Sequence, residues 1–316
     1  MKNKMKDESM SKPKRKRKIS KKFMESIPLY VMLILPVVFY IVFAYIPMYG
    51  VTIAFKDYNI FKGIMESPWI GFRIFKMVFS TRAFYTILRN TLALNLLDLL
   101  IGFPVPIFLA LVINETKSKR FRKITQTVIY MPHFLSWVVI GGMVYQFFST
   151  NTGLINILWR SMGFSPIPFL SEKWHWLATY ILTGVWQGAG WGTIIYLASL
   201  AGVSSELYEA AEVDGASKLR RIWHVSLPGI RPTIVVLLIM RIGQMMNIGF
   251  ERPYIMGNPM VYEFSEVIST YVYSMGLQNA RFSDATAIGL FQSAVGIILL
   301  TGANFISRKL GEDGLI

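Results

Sequence analysis

The chain has 316 residues, 53% of them hydrophobic, no cysteine and a formal net charge of +15. Its apolar share exceeds that of an ordinary soluble domain, and the missing cysteine removes disulfide frameworks and thiolate metal sites. His133, His175 and His224 lie too far apart in sequence to suggest a zinc pair, so no metal is expected.

The positive charge would suit a nucleic-acid binder, but its placement points elsewhere. Eleven of the 33 Lys and Arg fall in the first 22 positions, directly before an apolar run. Residues 1–26 therefore read as a basic tail that keeps the N-terminus in the cytoplasm. There each cation adds about 1 kcal/mol of attraction to anionic lipid. Membrane lipid is the expected partner of this tail, and no nucleic acid is.

Six apolar spans follow, at 27–50, 85–113, 124–148, 174–200, 230–250 and 285–307. Each is long enough for about 30 Å of hydrocarbon at a rise of about 1.5 Å per residue. The first span is too long for a signal-peptide core and lacks a small-residue cleavage site. Pro36 inside it predicts a kink of the kind membrane bundles tolerate. The outer loop at 51–84 holds FRIFKMVFSTRAFYTIL, whose helical spacing fits either an interfacial amphipathic helix or packing on the bundle. With the N-terminus inside, 22 of the 33 Lys and Arg fall on cytoplasmic segments, which puts both termini in the cytoplasm. The fold expected is thus an all-α membrane protein of six transmembrane helices, over residues 27–310, with a short C-terminal tail at 311–316. No repeat period indicates a solenoid.

Between spans four and five lies a polar island, YEAAEVDGASKLRRIWHVSLPGIRP at 208–232. Ser204 or Ser205 can cap a helix there, with Glu206 and Glu209 near its positive end. Leu207, Ala210 and Ala211 share one side, and Gly215 suits the left-handed residue that ends such a helix. A second short helix would carry Leu219, Ile222 and Trp223 on one face and Lys218, Arg220 and Arg221 elsewhere, stopped by Pro228 and Pro232. This elbow, at about 203–229, is either a folded cytoplasmic loop or a docking surface.

Glu209-Ala210-Ala211, Asp214-Gly215-Ala216 and Leu227-Pro228 resemble the EAA loop of ABC importer permeases. Val225 stands where that family usually has Ile. The resemblance extends to RNTLALNLL at 89–97, YMPHFLSWVV at 130–139 and WGTIIYLASLAGV at 191–203. The chain is similar to the type I, binding-protein-dependent permeases of carbohydrate uptake, such as the maltose permease subunits. YIPMYGVTIAFKDYN at 45–59, RIGQMMNIGFERPYIMGNPMVYE at 241–263 and the terminal GEDGL look like the polysaccharide-type members.

The resemblance implies a non-catalytic subunit, multi-pass in a bacterial cell membrane. Its partners would be a second homologous permease, two ATPase subunits and an extracellular lipid-anchored sugar-binding protein. ATP and Mg would sit on the ATPase, with no cofactor on this chain. The ATPase-coupling residues would be Glu209, Ala210, Ala211, Asp214, Gly215, Leu219, Trp223 and Pro228. No G-x-x-x-x-G-K-[ST] loop occurs. Gly184, Gly188 and Gly192 recur every fourth residue inside span four, which suits close helix packing.

Asp98 and Arg241 fall inside spans, at about 2.5–3.5 kcal/mol each on insertion scales, and mark a candidate path. Asn95, Gln187, Gln244, Asn247 and Gln292 carry groups that hydrogen-bond sugar hydroxyls. Trp186, Trp191 and Tyr145 carry rings that stack on sugar faces. Interhelical hydrogen bonds and an aromatic belt would use the same residues. Arg241 matches a carboxylate in two-pronged geometry, which suggests a uronic-acid-containing oligosaccharide. Pairing of Arg241 with Asp98, or with a carboxylate of the partner permease, would make it structural instead. The competing functions are an ion-gradient-driven secondary transporter, which gives an EAA-like loop no role, and a membrane-embedded enzyme, for which no nucleophile–base pair is present.

Overall fold

The structure is a computed structural model that describes residues 21–309. Most of the basic tail, and the C-terminal tail with GEDGL, lie outside the described residues. The chain clusters into two units, one ending at Val51 and one beginning at Thr52. Among the described residues every regular element is helical, apart from an isolated bridge between Lys56 and Trp69.

The first unit holds most of helix α1, Ser26–Phe55. Apolar side chains cover all its sides and none of its most apolar stretch is buried, as expected of a helix whose solvent is lipid. Pro28 and Pro36 lie inside it, and a π turn at Ile41–Tyr45 follows Pro36.

In the second unit the long helices are α2 (Arg82–Asn114), the bent pair α3 (Lys119–Phe134) and α4 (Trp137–Phe148), α5 (Lys173–Ala201), α7 (Lys218–Gly243) and α8 (Phe282–Lys309). The short α6 (Ser205–Val213) precedes α7. Helices α1, α2, α7 and α8 are long and apolar enough to cross a membrane, and the bent pair makes five if it is one broken span rather than a re-entrant loop. Helix α5 has 29 residues, about 43 Å at the α-helical rise, but its Gly, Thr, Trp and Gln make it less apolar than those spans. It does not need an apolar surface all round. Trp176, Tyr180, Thr193, Tyr196 and Leu200 are buried among its neighbours, and Thr179, Thr183 and Thr193 each donate to the carbonyl one turn back.

Helix α2 ties the bundle together. Phe84 and Ile87 at its start join Ile268, Ala287 and Ile288. Leu94 joins Ile140, Trp176, Tyr180 and Met256. Ala110, Leu111 and Ile113 at its end join Tyr196, Leu200 and Ile230. The three cores stack along one 33-residue helix. The 51–84 segment divides its apolar residues: Ile74 and Val78 on the helix Arg73–Phe79 are buried, while Phe61, Trp69 and Phe72 are exposed.

Three boundaries differ from the sequence expectation. The 124–148 segment is not one rod: α3 and α4 meet at 100°. Pro132 shapes a 3-10 turn there, Leu135 is extended, and Ser136 caps the new helix through Val139 N–H. Span five ends at Gly243 rather than 250. Pro228 and Pro232 do not stop a helix. Each sits in the first turn of a new helical segment, where a missing N–H costs nothing. The elbow's second helix thereby runs straight into the membrane helix as α7.

Candidate functional site

The elbow is built by standard helix-end chemistry. Ser204 Oγ accepts from Glu206 N–H at 3.2 Å. At the other end of α6, Ala216 N–H donates to Ala211 O at 2.8 Å and Gly215 N–H to Glu212 O at 3.0 Å. This is the Schellman pattern, and Gly215 takes the required left-handed turn at φ +71°. Ser217 then caps α7 through Arg220 N–H.

One tie closes the elbow on itself and another fixes it to the bundle. Tyr208 OH lies 3.0 Å from Ser226 Oγ. The Arg221 guanidinium meets Glu115, at the end of α2, at 2.9 Å and Glu212 of α6 at 3.6 Å. What remains outside is apolar: Val213 is 88% exposed, and Leu207, Leu219 and Trp223 are each more than half exposed. Glu209, Ala210, Asp214 and Pro228 are exposed beside them, and Ala211 is half-buried. The elbow thus exposes an apolar patch rimmed by charge.

The second feature is a polar cavity of about 540 Å³ lined by Asn95, Asp98, Gln187, Arg241, Gln244 and Asn247. A neighbouring cavity of about 430 Å³ shares Asp98, Arg241 and Gln244 but is otherwise mostly apolar. Six of the residues singled out in the sequence thus converge from α2, α5 and the end of α7. Asn95 is buried and already donates to Met245 O at 2.9 Å. Gln292 donates to Met246 O at 2.6 Å and lines a third cavity with Gln244 and Asn247. Trp186 lies elsewhere, in an apolar pocket with Ile140 and Val144. Tyr145 is exposed on α4 and lines no described cavity. Trp191 stacks on His133 at 4.6 Å and borders the apolar cavity.

Asp98 pairs with Arg252, not with Arg241. Arg252 Nη1 donates to Oδ2 at 2.7 Å and Nη2 to Oδ1 at 3.2 Å, while Nη2 also reaches Tyr180 O at 2.7 Å. The guanidinium lies 3.7 Å above the Tyr180 ring centroid. Gly184 makes the room, because a Cβ there would overlap the guanidinium. Both side chains are nearly buried, at 11% and 7% exposure. Arg241, in contrast, is exposed to the cavity and forms no ion pair among the described residues.

Sequence reading missed Arg252, which follows the end of α7 in the short helix Glu251–Met256. The only available signal was the intramembrane Asp98, which demands a cation without saying which. The glycine row also resolves. Gly184 faces Arg252, Gly192 faces Pro106 of α2, and Gly188 lines the apolar cavity. Tight backbone contact occurs at Gly190, where a Cβ would overlap the Ile129 carbonyl of α3.

Residues 102–311 match the family model described as binding-protein-dependent transport system inner membrane component. Protein LplB of Bacillus subtilis (strain 168) is 46% identical over 91% of this chain and 90% of its own. The polygalacturonan/rhamnogalacturonan transport system permease protein YteP of the same organism is 45% identical over 96% of this chain and 94% of its own. Among solved structures, a bacterial ABC transporter involved in the import of the acidic polysaccharide alginate matches with a TM-score of 0.84 at 40% identity. That match covers 92% of this chain and 98% of the other.

Proposed function

The chain belongs to the family of inner membrane components of binding-protein-dependent transport systems, with the type I importer permease fold, and on that premise we propose that it forms one wall of the import path for a carboxylate-bearing oligosaccharide. The observation that carries this reading is Arg241, unpaired among the described residues and set with Gln187, Gln244 and Asn247 around one polar cavity. A guanidinium binds a carboxylate through two parallel N–H donors, and the three amides suit sugar hydroxyls. The named cargoes of similar proteins, polygalacturonan and alginate, point the same way.

The chain hydrolyses nothing itself. Energy enters at the elbow, where Val213, Leu219 and Trp223 pack into a separate ATPase subunit and Glu209 supplies the charge at its rim. Because the elbow's second helix is the start of α7, a push on α6 and on the start of α7 moves the helix that carries Arg241. A second homologous permease closes the path, two ATPase copies hold the ATP and Mg, and a lipid-anchored binding protein delivers the sugar. Both termini lie in the cytoplasm of a bacterial cell.

The test is uptake of a galacturonate oligosaccharide and a neutral one by Arg241→Gln in the assembled importer. Selective loss of the acidic cargo supports the reading. Equal loss of both, or failure of the complex to assemble, assigns Arg241 to structure, paired with a carboxylate of the partner permease.

A further inference from the structure

Helix α7 has 26 residues, so about 39 Å separates its elbow end from Gly243. At that far end the chain between Gly243 and Phe282 folds into the short helices Glu251–Met256, Tyr262–Ser265 and Ile268–Tyr273. They enclose a cavity of about 390 Å³ lined by Tyr254, Tyr262, Tyr273, Ser265, Glu266 and Gln278. It shares no lining residue with the central cavities, and its size exceeds the roughly 300 Å³ at which small-molecule sites begin.

Two polar side chains of this cavity are unspent, while Thr270 Oγ1 is taken up by Val267. Ser265 Oγ is buried without a hydrogen-bond partner. The carboxylate of the half-buried Glu266 enters no ion pair among the described residues, and burial raises its pKa. Its backbone carbonyl, by contrast, is fixed by Asn90 at 2.9 Å. Tyr254 stacks on Phe250 at 4.8 Å, and Tyr273 packs against both rings at 4.8 and 5.4 Å, which makes a fixed aromatic wall. Tyr262 stands 56% exposed.

A sugar ring supplies what this pocket lacks. Its C–H face covers aromatic surface, and its hydroxyls donate to the carboxylate and to Ser265, which unpaired would carry a desolvation penalty. A uronate brings its own carboxylate beside Glu266, where no Lys or Arg lines the cavity to offset it. We infer that this pocket is a subsite for a neutral, hydroxyl-rich sugar ring at the outer mouth of the path, closed to uronates. Its outward placement rests on the import reading. The two sites then divide a mixed oligosaccharide between them, neutral ring at the mouth and acid at Arg241.

The experiment is saturation-transfer-difference NMR on the purified importer in nanodiscs, without binding protein, probed with a galactose trisaccharide and separately with a galacturonate trisaccharide. The neutral probe loses affinity by about tenfold or more in Tyr262→Ala and Glu266→Gln, the loss expected when a stacking face or a charged acceptor is removed. The galacturonate probe gains contact in Glu266→Gln, because the repelling charge is gone. Melting and elution of each variant check assembly, and Glu266→Gln alone decides if Tyr262→Ala falls apart. An unchanged neutral-probe signal in both variants overturns the inference, as does equal loss of both probes. Either outcome with ATP-dependent uptake of galacturonate intact refutes only this pocket. Absence of ATP-dependent galacturonate uptake by the wild-type importer refutes the import reading instead.

Discussion

Replacing Asp98 by Asn leaves the Arg252 guanidinium in a site only 11% exposed with no anion to hold it. Breaking a buried pair from one side costs about 3–5 kcal/mol, because the surviving charge is uncompensated. Here Arg252 keeps its bond to Tyr180 O and its place over the Tyr180 ring, so the lower end, about 3 kcal/mol, is expected. Over a unit of this size that corresponds to an apparent melting point lower by roughly 6–12 °C. Replacing both partners, Asp98→Asn with Arg252→Met, removes the stranded charge and recovers part of the loss. The assay is thermal melting of the purified complex in one detergent for wild type, both single variants and the double, read as a cycle. An Asp98→Asn variant that melts with wild type, or losses that simply add, would show that the pair does not bind α2 to the segment after α7.

Two further perturbations probe the elbow and its side of the membrane. Gly215→Val puts a β-branched residue at φ +71° and costs a few kcal/mol of backbone strain; membrane insertion should survive while ATPase recruitment and uptake fall, and normal recruitment would refute the docking role. A thiol placed at Ser217 in this cysteine-free chain should react with an impermeant reagent only after the cells are opened, and ready labelling of intact cells would reverse the topology.

The spans were legible because a helix solvated by lipid must be apolar, and α1, α2, α7 and α8 are. Helix α5 was legible as a span despite its polar residues, since its buried threonines satisfy themselves within the helix. The elbow was legible to single residues because its signals are local: a serine cap, a glycine with positive φ and a fixed spacing between them. Pro228 and Pro232 misled, because the same ring that ends one helix can open the next and sequence does not say which. The Asp98–Arg252 pair joins residues 154 positions apart, and no local pattern announces such a contact. The same holds for Arg221, whose partner Glu115 lies across the fold.

The central claim is that this chain carries sugar only when a separate ATPase drives it through the elbow. The direct measurement is uptake of a labelled galacturonate oligosaccharide into liposomes holding the chain with its partner permease, the ATPase subunits and the binding protein. Uptake is expected with ATP inside, to vanish without ATP or without the ATPase subunits, and to be indifferent to an imposed ion gradient. Uptake by this chain driven by an ion gradient alone, with no ATPase present, would contradict the account.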